Sequence, residues 1–253
     1  MRLAVCLCVV LLLVPAVPAR AQAPAPESGR WQEMSFAADP VHAISEDRYI
    51  ETVVALAAAG KLDDDALVLA RVRAISAGLV RAAIAIKPQA ADWPWEVHTS
   101  SDAGVEALCM AGGKILVGSA FVRQLALDDG ELATLIGHEV AHALAEHQRE
   151  TLSEALHLRG QAGLPLEVLD ERLESDLSLQ IKLSSLNYLQ EREADQLGMV
   201  LAHDAGWPAP AMLRFYRKLA GVSGAPVVTG AYPMPDARIS MAKGMLRLFA
   251  TQP

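Results

Sequence analysis

His138-Glu139-Val140-Ala141-His142 constrains this chain more than any other five residues in it. Two histidines four positions apart share a face only on a helix, where four residues advance about 400° and the imidazoles stand one turn apart. The flanking pattern supplies that helix, since Leu132, Leu135, Ile136, Val140, Ala143 and Leu144 recur at helical intervals. The spacing predicts a helix over 129–148, capped by Asp128 or Asp129, with Glu131 in capping-box position relative to Asp128. Two imidazole nitrogens so placed suit a tetrahedral Zn2+ with bonds of about 2.0–2.1 Å. Glu139 lies beside them, where a carboxylate can take a proton from a metal-bound water and pass it to a leaving amine.

The five-residue pattern is a hypothesis until a third ligand is found. A glycine at 145 and a histidine at 148 would supply one from the next turns, but the chain has Ala145 and Gln148 there. His147 falls five residues after His142, about 140° away on a continuous helix, and reads as a solvated helix-end residue. The other source is a carboxylate from a later helix. Gln190-Glu191-Arg192-Glu193-Ala194-Asp195 provides one, with Glu191 and Asp195 on a common face. Glu191 completes a three-ligand set for one Zn2+ per chain. Asp195 is positioned to accept the second N–H of a ligating imidazole and so fix its tautomer. Glu193 points elsewhere and reads as surface charge. An acidic stripe on a solvated helix is the bland alternative, and the upstream histidine pair weighs against it.

Composition weighs against one class of partner. The net charge of -8 disfavours nucleic acid, whose phosphates require a basic surface. A hydrophobic content of 52% is ample for one packed domain. Arg2, the apolar run 3–14, the helix breakers Pro15 and Pro18, and Ala19-Arg20-Ala21 together read as a secretory signal cleaved after Ala21. The apolar run is shorter than the ~20 residues that span a bilayer. Three segments follow: a signal at 1–21, a flexible leader at 22–45, and one domain over 46–253. Cleavage would leave Cys109 as the single cysteine, with apolar neighbours that suit a buried structural role.

Periodicity predicts two helices over 46–86, divided near Gly60, the second starting at Asp63-Asp64-Asp65. Alternation then predicts strands at 95–99, 105–110 and 114–117, with Gly112-Gly113 turning the chain between the last two. The stretch 149–187 is helical in pattern with a break near 160–165, long enough to cover a cleft. Further helices are expected over 187–203, 209–220 and 236–249. The fold class is therefore α+β, predominantly helical, with a small β-sheet beside the HExxH helix.

His138-Glu139-Val140-Ala141-His142, an interval of about 50 residues, and Glu191-Arg192-Glu193-Ala194-Asp195 with Gln196-Leu197-Gly198 resemble the gluzincin family of the CAAX prenyl protease and the HtpX heat-shock protease. The likeness is to its soluble periplasmic members and extends over 93–239. It implies a zincin-like (minimal gluzincin) fold and a periplasmic zinc-dependent endopeptidase acting on unfolded or misfolded envelope polypeptides. It also implies a substrate lying as an added strand along Lys114, Ile115, Leu116, Val117 and Gly118. Where the family often has His-Pro in its last loop, this chain has Tyr232-Pro233. Tyr232 either stabilises the oxyanion with its phenol or packs inertly. Arg238 matches the arginine that follows near the family's cleft, and Glu106 stands where an Asn is expected. A zinc-binding chaperone-like or latent factor with little turnover is the alternative reading.

Overall fold

The computed structural model describes residues 32–158, 163–222 and 230–251; the signal expected at 1–21, the first part of the leader and the start of the break expected near 160–165 lie outside the described residues. The chain is a predominantly helical α+β fold. In order come α1 (Ala38–Ala58), α2 (Ala66–Ile86), a 3-10 turn (Pro88–Asp92), β1 (Glu96–Ser100), β2 (Ala107–Met110) and β3 (Lys114–Gly118). They are followed by α3 (Ser119–Gln124), α4 (Asp129–Leu144), α5 (His147–Leu158), α6 (Leu166–Ser175), α7 (Leu177–Asp204), α8 (Ala209–Val222) and α9 (Pro235–Phe249). Among the described residues no helix is long and apolar enough to cross a membrane.

The centre of the fold is α4. Its N-terminus carries a full capping box, Asp128 accepting from the Glu131 N–H and Glu131 from the Asp128 N–H, both at 2.9 Å. Such a cap contributes about 1 kcal/mol, while Gly130 and Gly137 each cost a helix up to about 1 kcal/mol. Burial decides the balance. Leu132, Ile136 and Leu144 are fully buried, each worth about 1.5–3 kcal/mol. Of all the residues in α4, only Asp129, Glu139 and His142 escape full burial. The helix is thus gripped on every side except the one that bears Glu139 and His142. Around it pack α2, α7, α8 and one face of the sheet, and α9, packed on α7 and α8, completes the main core.

The sheet has the order β1-β3-β2. β3 is central, parallel to β1 and antiparallel to β2, and all five of its residues are buried. β2 is an outer strand, and it is the one that lies against α4. The stretch 149–187, expected as helical with a break near 160–165, holds α5, α6 and the first half of α7. These build a satellite core around Leu152, Leu169, Leu179 and Leu183.

Two expectations need correction here. The leader does not run unstructured to residue 45: α1 starts at Ala38, and the buried Gln32 side chain donates to the Ala145 carbonyl and to Glu150. Arg149 donates to the Phe36 carbonyl, fastening the same stretch to α5. The helix expected over 129–148 stops at Leu144, because Glu146 takes a left-handed φ of 56° and α5 restarts at His147. Lys87 and Arg149 both bind the Glu146 carboxylate, and Lys87 also donates to the freed Leu144 carbonyl. Those cations substitute for the glycine that usually ends a helix.

Candidate active site

The site forms where α4 crosses α7. Gly137 and Gly198 meet at this crossing, where a Cβ on Gly198 would stand 2.6 Å from the His138 amide nitrogen. A Cβ on Gly137 would meet the Gly198 carbonyl oxygen at 2.7 Å. Only glycine permits the backbones to approach so closely. The approach sets Glu191 and Asp195, on the facing side of α7, against the imidazole of His138.

Three side chains converge there. His138 Nε2 and His142 Nε2 are 3.2 Å apart. Glu191 places Oε2 3.5 Å from the first and Oε1 3.4 Å from the second. A tetrahedral ion with bonds of about 2.0–2.1 Å spaces its ligands by about 3.3–3.4 Å, so the donor set fits a zinc-sized metal. The fit is chemical as well as geometric, because the second nitrogen of each imidazole faces another partner and leaves Nε2 as the nitrogen aimed at the centre.

Those partners differ. His138 Nδ1 lies 3.0 Å from Asp195 Oδ1. Asp195 is buried and also accepts from Arg238 Nε at 2.8 Å, from a second Arg238 nitrogen, and from the Tyr216 hydroxyl at 3.0 Å. The guanidinium sits over the Tyr216 ring, 5.2 Å from its centroid. Burial alone would push the Asp195 carboxyl up, but His138 and Arg238 hold it below its ordinary range. Two of the three Arg238 nitrogens are therefore engaged by Asp195, while the side chain also lines the cleft.

On the other side, His142 Nδ1 lies 2.9 Å from His147 Nδ1, and His147 Nε2 lies 3.5 Å from Glu193 Oε2. His147 is 3% exposed and Glu193 8%. Both were expected on the surface; the break at Glu146 is the reason His147 is not, and Glu193 is buried on α7 near it. The turn folds the His147 ring back onto His142 instead of leaving it about 140° round a continuous helix. Burial lowers the His147 pKa. No residue type at 145 or 146 announces this turn, so sequence reasoning had no signal for it; Tyr216 likewise gave none.

Glu139 faces an open cleft of about 1330 Å³ that runs past the three converging side chains. Crowding by the surrounding protein raises its carboxyl above the ordinary value, and the nearby histidines work against that. Tyr232 and Glu106 both line the cleft and are exposed. The Tyr232 phenol is raised by burial of its inner part and by the Glu191 and Glu139 carboxylates. Cys109 is buried, and desolvation followed by the charge of Glu139 pushes its thiol well up, which suits an inert packing role.

The strand expected to receive substrate is not available. Residues Lys114–Gly118 are hydrogen-bonded on both sides and fully buried, so β3 has no edge to offer. The cleft is bordered instead by β2, from which Leu108, Cys109 and Met110 line it. The sequence places three strands in a row but does not say which is central, and a parallel β1–β3 pairing pushes β2 to the rim.

Residues 69–251 match the model of the family described as Peptidase family M48. The chain is 32% identical over 131 residues to the mitochondrial metalloendopeptidase OMA1 of Arabidopsis thaliana, a match covering 51% of this chain and 27% of that protein. It is 29% identical over 138 residues to the protein of the same name from Saccharomyces cerevisiae, covering 50% and 37%. To the beta-barrel assembly-enhancing protease of Yersinia pestis it is 26% identical over 166 residues, covering 59% and 34%. The matched part is thus about a third of the length of these relatives.

Proposed function

This chain belongs to peptidase family M48, and on that premise we propose that it is a zinc-dependent endopeptidase. His138, His142 and Glu191 hold the metal, and Glu139 is the general base. The observation that carries the proposal is the convergence of these three donors within 4.8 Å of one another, beside a carboxylate open to the cleft. When bound, zinc supplies Lewis acidity, acidifying a water and polarising the scissile carbonyl.

Glu139 takes the proton from the attacking water and returns it to the leaving amine. A carboxyl raised by burial is suited to both halves of that exchange. Tyr232, its phenol kept protonated by partial burial and by the neighbouring carboxylates, donates to the developing oxyanion from the rim. Arg238 holds Asp195, which orients His138. The polypeptide adds as an extended strand to the outer edge of β2, bonding through its backbone. Recognition of that kind tolerates many sequences. The signal-like residues 1–21 and the likeness to a beta-barrel assembly-enhancing protease favour a periplasmic setting, with unfolded or misfolded envelope proteins as substrates.

The test is casein cleavage by the purified chain with its zinc content measured, beside Glu139→Gln and a chelator control. Cleavage should disappear with the chelator and fall about 10²–10⁴-fold in Glu139→Gln while zinc is retained. Full activity in a zinc-loaded Glu139→Gln would defeat the mechanism. Bound zinc without cleavage by the unaltered chain would favour the chaperone-like or latent reading.

A further inference from the structure

We infer that His147, backed by Glu193, is the positioning residue that fixes His142 as a metal ligand, an inference that rests on the metal-site reading above. The nitrogen of His142 aimed at the donor cluster is Nε2, 3.2 Å from His138 Nε2 and 3.4 Å from Glu191 Oε1. An imidazole that gives one lone pair to a metal carries its proton on the other nitrogen. That proton, on Nδ1, faces His147 Nδ1 at 2.9 Å. The contact is attractive only if His147 Nδ1 is the acceptor, which places the proton of His147 on Nε2. Glu193 Oε2, 3.5 Å from that Nε2, is the charge that favours a proton there. The three groups therefore select one tautomer at each ring, working outward from Glu193.

Three further observations favour positioning over incidental packing. His147 and Glu193 are both buried, so bulk water does not compete for the contacts. The rings meet edge to face, with centroids 4.9 Å apart and planes at 78°, which directs nitrogen to nitrogen. The backbone is also bent to make the contact: Glu146 adopts a φ of 56°, a strained conformation for a residue with a Cβ. Gln190, next to the ligand Glu191, donates to the His147 carbonyl at 3.1 Å and ties the new turn to α7.

The test compares His147→Leu, His147→Asn and Glu193→Gln with the unaltered chain. Zinc affinity is measured by chelator competition, coordination by the absorption spectrum of the cobalt-loaded protein, and folding by circular dichroism. Leu removes the acceptor at similar size; Asn keeps an oxygen near the position of Nδ1. His147→Leu should bind zinc about 10–100-fold more weakly with an altered cobalt spectrum. His147→Asn should recover most of that affinity, and Glu193→Gln should fall between the two. Leu binding zinc like the unaltered chain, or Asn binding as poorly as Leu, would overturn the inference. Should Leu not fold, a folded Glu193→Gln with unchanged affinity and spectrum would overturn it instead. An unaltered chain that binds no zinc would defeat the reading beneath it, and that outcome is separate from the others.

Discussion

The two histidines of α4 face the same centre but lean on different parts of the molecule. His138 leans on α7 and α9 through Asp195, a buried carboxylate held in turn by Arg238 and Tyr216. His142 leans on α5 through the ring of His147, with the charge of Glu193 one step further away. At the outer nitrogen, Nδ1, a full negative charge therefore sits against one imidazole, while the other meets a second imidazole. The lesson is that ligands identical in the sequence pattern are not equivalent in the fold. One is braced by an ion pair and the other by a turn of backbone.

The largest expected effect is on the braced side. Asp195→Ala leaves the largely buried Arg238 without its carboxylate, a change that costs up to about 3–5 kcal/mol when a buried pair is broken. Denaturant melts should register the loss, and zinc affinity should fall further than in His147→Leu. If His147→Leu costs more affinity than Asp195→Ala, the ranking of the two supports is reversed.

A smaller effect, reaching both supports at once, is expected from Gly198→Ala. The new Cβ would press on the His138 backbone and displace the helix that carries Glu191, Glu193 and Asp195 together. Overpacking of this kind costs about 1–3 kcal/mol, and cobalt spectra should shift with it. Unchanged stability and spectrum would mean that α7 slides freely, so the crossing does not set the site.

The smallest effect isolates the charged support by pH. Burial alone would lower the His138 pKa, but Asp195 and Glu191 raise it to about 10 in the metal-free protein. Since the folded value exceeds the unfolded one near 6.5, this contribution to stability is complete below about 6.5 and is lost as pH rises through about 10. Melting temperature of the metal-free chain should therefore decline from about pH 7 to about pH 10. Over the same interval zinc affinity should rise, because the metal displaces that proton. A flat melting profile would remove the charge from the comparison.

What the sequence revealed divides along the same line. The convergence of His138, His142 and Glu191 was readable because each pair lies on a regular helix, or on two helices with apolar faces that must meet. Asp195 was readable for the same reason, being one turn beyond Glu191. The strands were placed within a residue or two. His147 was hidden because its position depends on a left-handed residue that is neither Gly nor Asn, held by Lys87 from about 60 residues away. The order of strands was hidden too, since alternation reports which residues share a face and says nothing about which strand is central. Each failure came where a distant contact overrode a local rule.

The glycine crossing of α4 and α7 also bears on how the chain reaches its folded form and stays there. His138 and Glu191 are about 50 residues apart, so the donors meet only after α5 and α6 have been laid down and a long loop has closed. Contacts of that kind are costly in chain entropy and form late. A metal that binds only the closed crossing shifts the folding equilibrium by mass action, by about 2.7 kcal/mol when present at a hundred times its dissociation constant. Metal supply would then govern how much of this chain survives proteolysis, quite apart from how much of it can act.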